Sequence, residues 1–139
     1  GVSPLAPILE HPVDNLHEVL HTNLIAPVSL LQKVQAFFTD QPTIINISSD
    51  AAVAAYPNWG AYSSSKAGLD HLSAILAQEQ PQWKVYAFDP GDMRTQMHQA
   101  AFPGEDITDR PLPEEEALPA LLKLLQSGVP SGRYTIDAM

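Results

Sequence analysis

Cysteine is absent from this chain, so no disulfide framework holds it together. Basic residues are scarce: seven Lys plus Arg stand against sixteen Asp plus Glu, a formal net charge of −9. A surface of that sign repels a phosphate backbone, and nucleic acid is not an expected partner. No apolar run approaches the roughly 20 residues that cross a bilayer. Gly1-Val2-Ser3-Pro4 lacks a basic region followed by a hydrophobic segment. Neither a membrane nor export is indicated, and a cytoplasmic location is the expectation. With 139 residues, 45% of them hydrophobic, the composition is that of one soluble globular domain. The run Glu114-Glu115-Glu116 reads as the first turn of a helix, where acids suit the dipole.

The stretch Thr43 to Gly68 carries the chemistry. The β-branched run Ile44-Ile45-Asn46-Ile47 stops at Ser48-Ser49. After Pro57-Asn58-Trp59-Gly60 a helix begins that contains Tyr62 and Lys66. Residues four apart share a helix face, so the phenol and the ammonium point the same way. A neighbouring ammonium favours the phenolate, and the expectation is a Tyr62 pKa lowered from its usual value of about 10. Tyr62 is then a general acid/base, and Ser49, at the end of the strand, offers a hydroxyl to a carbonyl or alkoxide. The set suits interconversion of an alcohol and a carbonyl.

In order, Gly1 to Val13 reads as a proline-punctuated loop. Asp14 caps a helix to about Thr39, with Leu16, Val19, Leu20, Leu24, Val28 and Leu31 on its apolar stripe. Pro27 bends it and frees the carbonyl of Asn23, four residues back. A helix from Gly60 to Gln80 is closed by Pro81. Lys84 to Phe88 is a second strand ending at Asp89-Pro90-Gly91, and Met93 to Glu105 a short helix and flap. A loop over 106–113 leads to a last helix, Glu114 to Gln126, burying Leu118, Leu121, Leu122 and Leu125 and stopped by Gly128. Arg133 to Ile136 is a final strand. The fold class is α/β: three parallel strands, adjacent in chain order, with helices on both faces.

The serine thirteen places before Tyr-x-x-x-Lys, with Asn23, Pro90-Gly91 and Thr95 in order around it, resembles the catalytic segment of the short-chain dehydrogenase/reductase family. The resemblance implies a partial Rossmann-like, doubly wound fold, with 1–139 as the C-terminal half of one dinucleotide-binding domain. Gly1 falls at the last position of the family's Asn-Asn-Ala-Gly segment. No Gly-x-Gly-x-x-Gly occurs, so the N-terminal, phosphate-binding half is expected to be absent. By resemblance Asn23, Ser49, Tyr62 and Lys66 are catalytic, and the Asn23 carbonyl holds a water in a relay to the lysine. Tyr62, Lys66, Pro90, Gly91 and Thr95 meet the cofactor, NAD or NADP. The helices of 14–39 and 60–80 pair across a homo-oligomer interface. One departure is Asp50-Ala51-Ala52-Val53 after Ser49, where the family often has a glycine.

Two rival readings stand beside it. A truncated, non-catalytic relative would serve as an interaction or dimerisation module. His17-Glu18-Val19-Leu20-His21 has the H-e-x-x-H form of a zinc hydrolase, but Leu24 and Pro27 stand where the extended motif needs glycine and a third histidine. A chance match is favoured and no metal is expected. His71 and His98 receive no role.

Overall fold

The chain was analysed as a computed structural model that describes all 139 residues. Three strands, β1 (Thr43–Ile47), β2 (Lys84–Asp89) and β3 (Gly132–Thr135), form one parallel sheet in the order β1-β2-β3. Ile45 lies opposite Tyr86, and Phe88 opposite Tyr134. The central strand is covered on both faces, as its unbroken apolar run Val85-Tyr86-Ala87-Phe88 requires. Tyr86 and Phe88 pack on Leu124 of the last helix, α5 (Ala117–Ser127). Val85 and Ala87 turn the other way, toward the long helix α3 (Gly60–Glu79). The α/β architecture and the strand order agree with expectation, to within a residue at each strand end.

The long first helix differs. It starts at Val13, directly after Pro12, with no side-chain cap, so Asp14 lies in the first turn and does not cap it. Then α1 (Val13–Leu20) passes through a π-turn at His21–Ile25 into α2 (Ala26–Val34), and a 3₁₀ turn ends it at Phe37. Pro27 has no N–H for the Asn23 carbonyl and its ring crowds that carbonyl. The chain widens to a π-turn there, with the Ala26 N–H donating to the His21 carbonyl.

The last helix also begins later than its acids suggest. Glu115 folds back to accept the Leu112 N–H at 2.8 Å, and Glu116 is the cap residue. The buried face is centred on Ala117, Leu121 and Leu124: Ala117 and Leu124 are buried and Leu121 packs partly buried on the core, whereas Leu118, Leu122 and Leu125 are exposed. Gly128, at φ +66°, ends the helix in the left-handed conformation. The flap contains one short helix, α4 (Gln96–Ala101). No helix is long and apolar enough to cross a membrane.

Only 19 of the 139 residues are buried, so much apolar surface stays open. It includes a groove of about 670 Å³ between α2, β1 and α3, walled by Val28, Leu31, Ile44, Leu72, Ile75 and Leu76.

Candidate active site

The carboxyl ends of β1 and β2 make one rim, where open parallel sheets place their ligands. The Ser48 N–H donates to the Phe88 carbonyl at 2.7 Å and carries the ladder one step beyond β1. Ser49 follows in extended conformation and Asp89-Pro90-Gly91 lies alongside. Tyr62 enters from the first turn of α3, 5% exposed, its ring edge-on to Trp59 with centroids 5.6 Å apart. Trp59 also meets Phe102 beyond α4 at 5.8 Å, so the flap rests on the wall that holds the tyrosine.

Lys66, one turn further along α3, is buried and donates from Nζ to the Ile47 carbonyl at 2.8 Å. Its nitrogen lies 5.6 Å from the Tyr62 ring centroid. The predicted lowering of the Tyr62 pKa is not found: burial is the largest influence and raises it. The nearby Ser49 hydroxyl favours phenolate, while Asp50, Asp89 and Asp92 oppose ionisation. Lys66 itself is pushed down by burial, with Asp70 acting the other way. Tyr62 is therefore held in its protonated form.

Ser49 has close partners of its own. Its hydroxyl donates to Asp50 Oδ1 at 3.0 Å and accepts from the Ala51 N–H at 3.2 Å. Its influence on Tyr62 is thus exerted alongside, not through, its own shortest hydrogen bonds. Asn23, 3% exposed, uses its amide rather than its carbonyl in the contacts seen. Oδ1 accepts the Val2 N–H at 2.9 Å, and Nδ2 donates to the Val2 carbonyl at 2.9 Å and to Ser65 Oγ at 3.2 Å. Ser65 in turn donates to the Tyr62 carbonyl at 2.6 Å, linking Asn23 to the tyrosine through the helix backbone.

Pro90 is buried, and Gly91 adopts φ +69° with its N–H on Asp89 Oδ1 at 3.1 Å. Thr95 caps α4, its Oγ1 accepting the His98 N–H at 3.1 Å, which leaves its hydroxyl proton free. None of these three is hydrogen-bonded to Ser49, Tyr62 or Lys66. His17, Glu18 and His21 are exposed, and no third His, Asp or Glu converges with them.

Several participants escaped the sequence reading. Arg133 of β3 donates to Asp70 Oδ2 at 3.0 Å, Asp89 Oδ2 at 2.7 Å and the Ser49 carbonyl at 3.0 Å. It ties α3, β2 and the serine turn together. A lone cation in a short strand, with an acid just before Pro90-Gly91, was the available signal. Tyr56 donates to Asp50 Oδ2 at 2.7 Å.

The sequence profile described as short chain dehydrogenase matches residues 1–106. A benzil reductase ((S)-benzoin forming) of Bacillus subtilis is 35% identical over 95% of this chain and 63% of its own length. A sepiapterin reductase of Bos taurus is 34% identical over 57% of this chain and 31% of its own. Among solved structures, a short chain dehydrogenase of Escherichia coli complexed with NADPH superposes with a TM-score of 0.89 at 26% identity. It covers 99% of this chain and 59% of its own. One of Shigella flexneri complexed with NADP gives 0.88 at 25% identity, with the same coverage. The chain belongs to the short chain dehydrogenase family. It spans about 60% of the length of these full-coverage relatives.

Proposed function

We propose that these residues form the catalytic, C-terminal half of a nicotinamide-dependent oxidoreductase that interconverts an alcohol and a carbonyl compound. The phosphate-binding part of the domain would come from residues outside these 139. The supporting observation is the meeting of Ser49, Tyr62 and Lys66 at one rim of a parallel sheet, beside Asp89-Pro90-Gly91. Relatives that bear the name reductase, and neighbours complexed with NADP and NADPH, favour NAD or NADP as the cofactor.

The donors fit the nicotinamide end of such a cofactor. Lys66 has two N–H bonds left after Ile47, and the Thr95 hydroxyl proton is uncommitted. They would hold the ribose and the carboxamide respectively, with Pro90 and Gly91 beneath the ring. Bound there, a nicotinamide supplies hydride to or from the substrate carbon. In reduction, the Tyr62 O–H gives its proton to the substrate oxygen as negative charge develops on it. The nearby Ser49 hydroxyl favours the phenolate left behind. Asn23 and Ser65 hold the first turns of α3, and so the phenol, in place.

Homo-oligomerisation through the helices of 14–39 and 60–80 belongs to the same reading, supported by the exposed Leu30, Leu72 and Ile75. The groove they border also favours the second reading, an interaction module without turnover.

The test is Tyr62→Phe in the complete gene product. Loss of the proton donor is expected to lower kcat at least 100-fold while calorimetric affinity for NADH and NADPH stays within about twofold of wild type. Retained turnover removes Tyr62 from its role; absence of nicotinamide binding in the wild type favours the interaction module.

A further inference from the structure

Asp50 follows Ser49 directly, and its surroundings give it a part in choosing the substrate. Its carboxylate is held by three donors. Oδ1 accepts the Ser49 hydroxyl at 3.0 Å and the Ala51 N–H at 2.7 Å, and Oδ2 accepts the Tyr56 hydroxyl at 2.7 Å. Two donors on one oxygen and one on the other keep this exposed carboxylate beside the serine. Its charge is also uncompensated: the four ion pairs of the chain include Asp70 and Asp89, which share Arg133, but not Asp50. Lys66 is directed to the Ile47 carbonyl, and Arg133, which donates to the carbonyl of the adjacent Ser49, is paired with Asp70 and Asp89 rather than with Asp50.

We propose that Asp50 is a specificity-determining residue of this site, admitting uncharged carbonyl compounds and turning away those that carry a carboxylate beside the carbonyl. The inference rests on the roles given above to Ser49 and Tyr62. The Ser49 hydroxyl has one proton, so a substrate oxygen that binds there takes it from Asp50 and lies one hydrogen-bond length beyond Ser49 Oγ, roughly 5–6 Å from the Asp50 charge. A carboxylate on the adjacent carbon falls at a similar distance. At that range like charges in a partly solvated site disfavour binding by roughly tenfold. An uncharged ketone meets no such repulsion, and its oxygen is offered the Tyr62 proton. Asp89 and Asp92 also bear on the phenol, but Asp89 is ion-paired with Arg133, which it shares with Asp70.

The experiment compares a neutral aryl 1,2-diketone with the matching aryl 2-oxo acid, phenylglyoxylate, in the complete gene product. Wild type is expected to favour the diketone in kcat/KM, and Asp50→Asn to shift the ratio toward the oxo acid by roughly tenfold. In the wild type, rising salt is expected to shrink the preference, which needs no variant to fold. A parallel absorbance titration tests whether Asp50→Asn brings the Tyr56 pKa down from its raised position, where the Asp50 hydrogen bond holds it. A ratio unmoved by both the substitution and salt, in an enzyme that reduces the diketone, overturns the assignment of Asp50 and leaves the proposed activity standing. Turnover of neither compound with either nicotinamide overturns both.

Discussion

Arg133 reaches across 84 residues of sequence to the Ser49 carbonyl, donating from Nη2 at 3.0 Å while the same nitrogen holds Asp89 Oδ2 at 2.7 Å. The serine turn and the end of β2 thus share one guanidinium, with Asp70 of α3 on its Nε. The Asp89 side chain is only 7% exposed, so removing the cation strands a charge in the rim. Arg133→Met is expected to cost about 3 kcal/mol in urea unfolding. Arg133→Lys keeps the charge without the planar fork and recovers part of that loss. A double-mutant cycle with Asp89→Asn should show strong coupling; additive effects would mean that the pair is incidental.

Asn23 anchors the entry segment through a reciprocal pair of bonds to the Val2 backbone, from a position 3% exposed. Asn23→Ala leaves the Val2 N–H and carbonyl and the Ser65 hydroxyl without that partner. A loss of about 2 kcal/mol is expected. Hydrogen exchange localises the effect: the Val2 amide should lose protection while β2 keeps its own. Uniform loss across the sheet would show instead that the whole fold depends on this asparagine.

Local patterns made the frame legible. The β-branched run of β1 and the Lys84-to-Phe88 run each announce a strand, and Gly128 announces a helix stop, because each rests on nearest-neighbour chemistry. The Ser49, Tyr62, Lys66 set was visible for the same reason, as one strand end and one helical turn. The Arg133 cluster was not, because its partners lie 44, 63 and 84 residues away and meet only when the sheet is assembled. Nor was the sign of the Tyr62 shift. Spacing announced a neighbouring ammonium, whereas the opposing burial depends on Trp59 and the surrounding fold. The face of α5 was only partly legible: Leu121 packs on the core as its stripe implied, but Leu124 and Ala117, beside it, are the buried positions, and Leu118, Leu122 and Leu125 stay exposed.

The groove between α2, β1 and α3 predicts association of this chain in solution. Leu30 is 62% exposed, and Leu72 and Ile75 are each 39% exposed, on the two helices given the oligomer role. Sedimentation velocity is expected to show a dimer or larger species at micromolar concentration. Leu72→Lys combined with Ile75→Lys should shift it toward monomer by placing like charges in an apolar contact. A wild-type monomer throughout that range would remove these helices from any homo-oligomer interface.

Burial of Tyr62 carries a signature in stability against pH. Its folded-state pKa is raised, by burial first, with Ser49 opposing and Asp50, Asp89 and Asp92 adding. The folded form therefore holds the phenolic proton more tightly than the unfolded chain, whose tyrosine titrates at about 10. The resulting stabilisation is fully present below the unfolded value and is lost as pH rises through the folded one. Above pH ~10 the slope of this contribution approaches at most about −1.4 kcal/mol per pH unit. Lys66, lowered by burial, contributes with the opposite sign, gaining stability as pH rises toward its unfolded value. Tyr56 and Tyr86 are raised as well. All three are common to wild type and Tyr62→Phe, so the difference between the two proteins isolates Tyr62. Urea midpoints from pH 8 to 11 should fall more steeply for wild type than for Tyr62→Phe, with the divergence beginning near pH 10. Parallel curves would mean that the phenol ionises as freely in the folded chain as in the unfolded one, and burial would then not be what holds its proton.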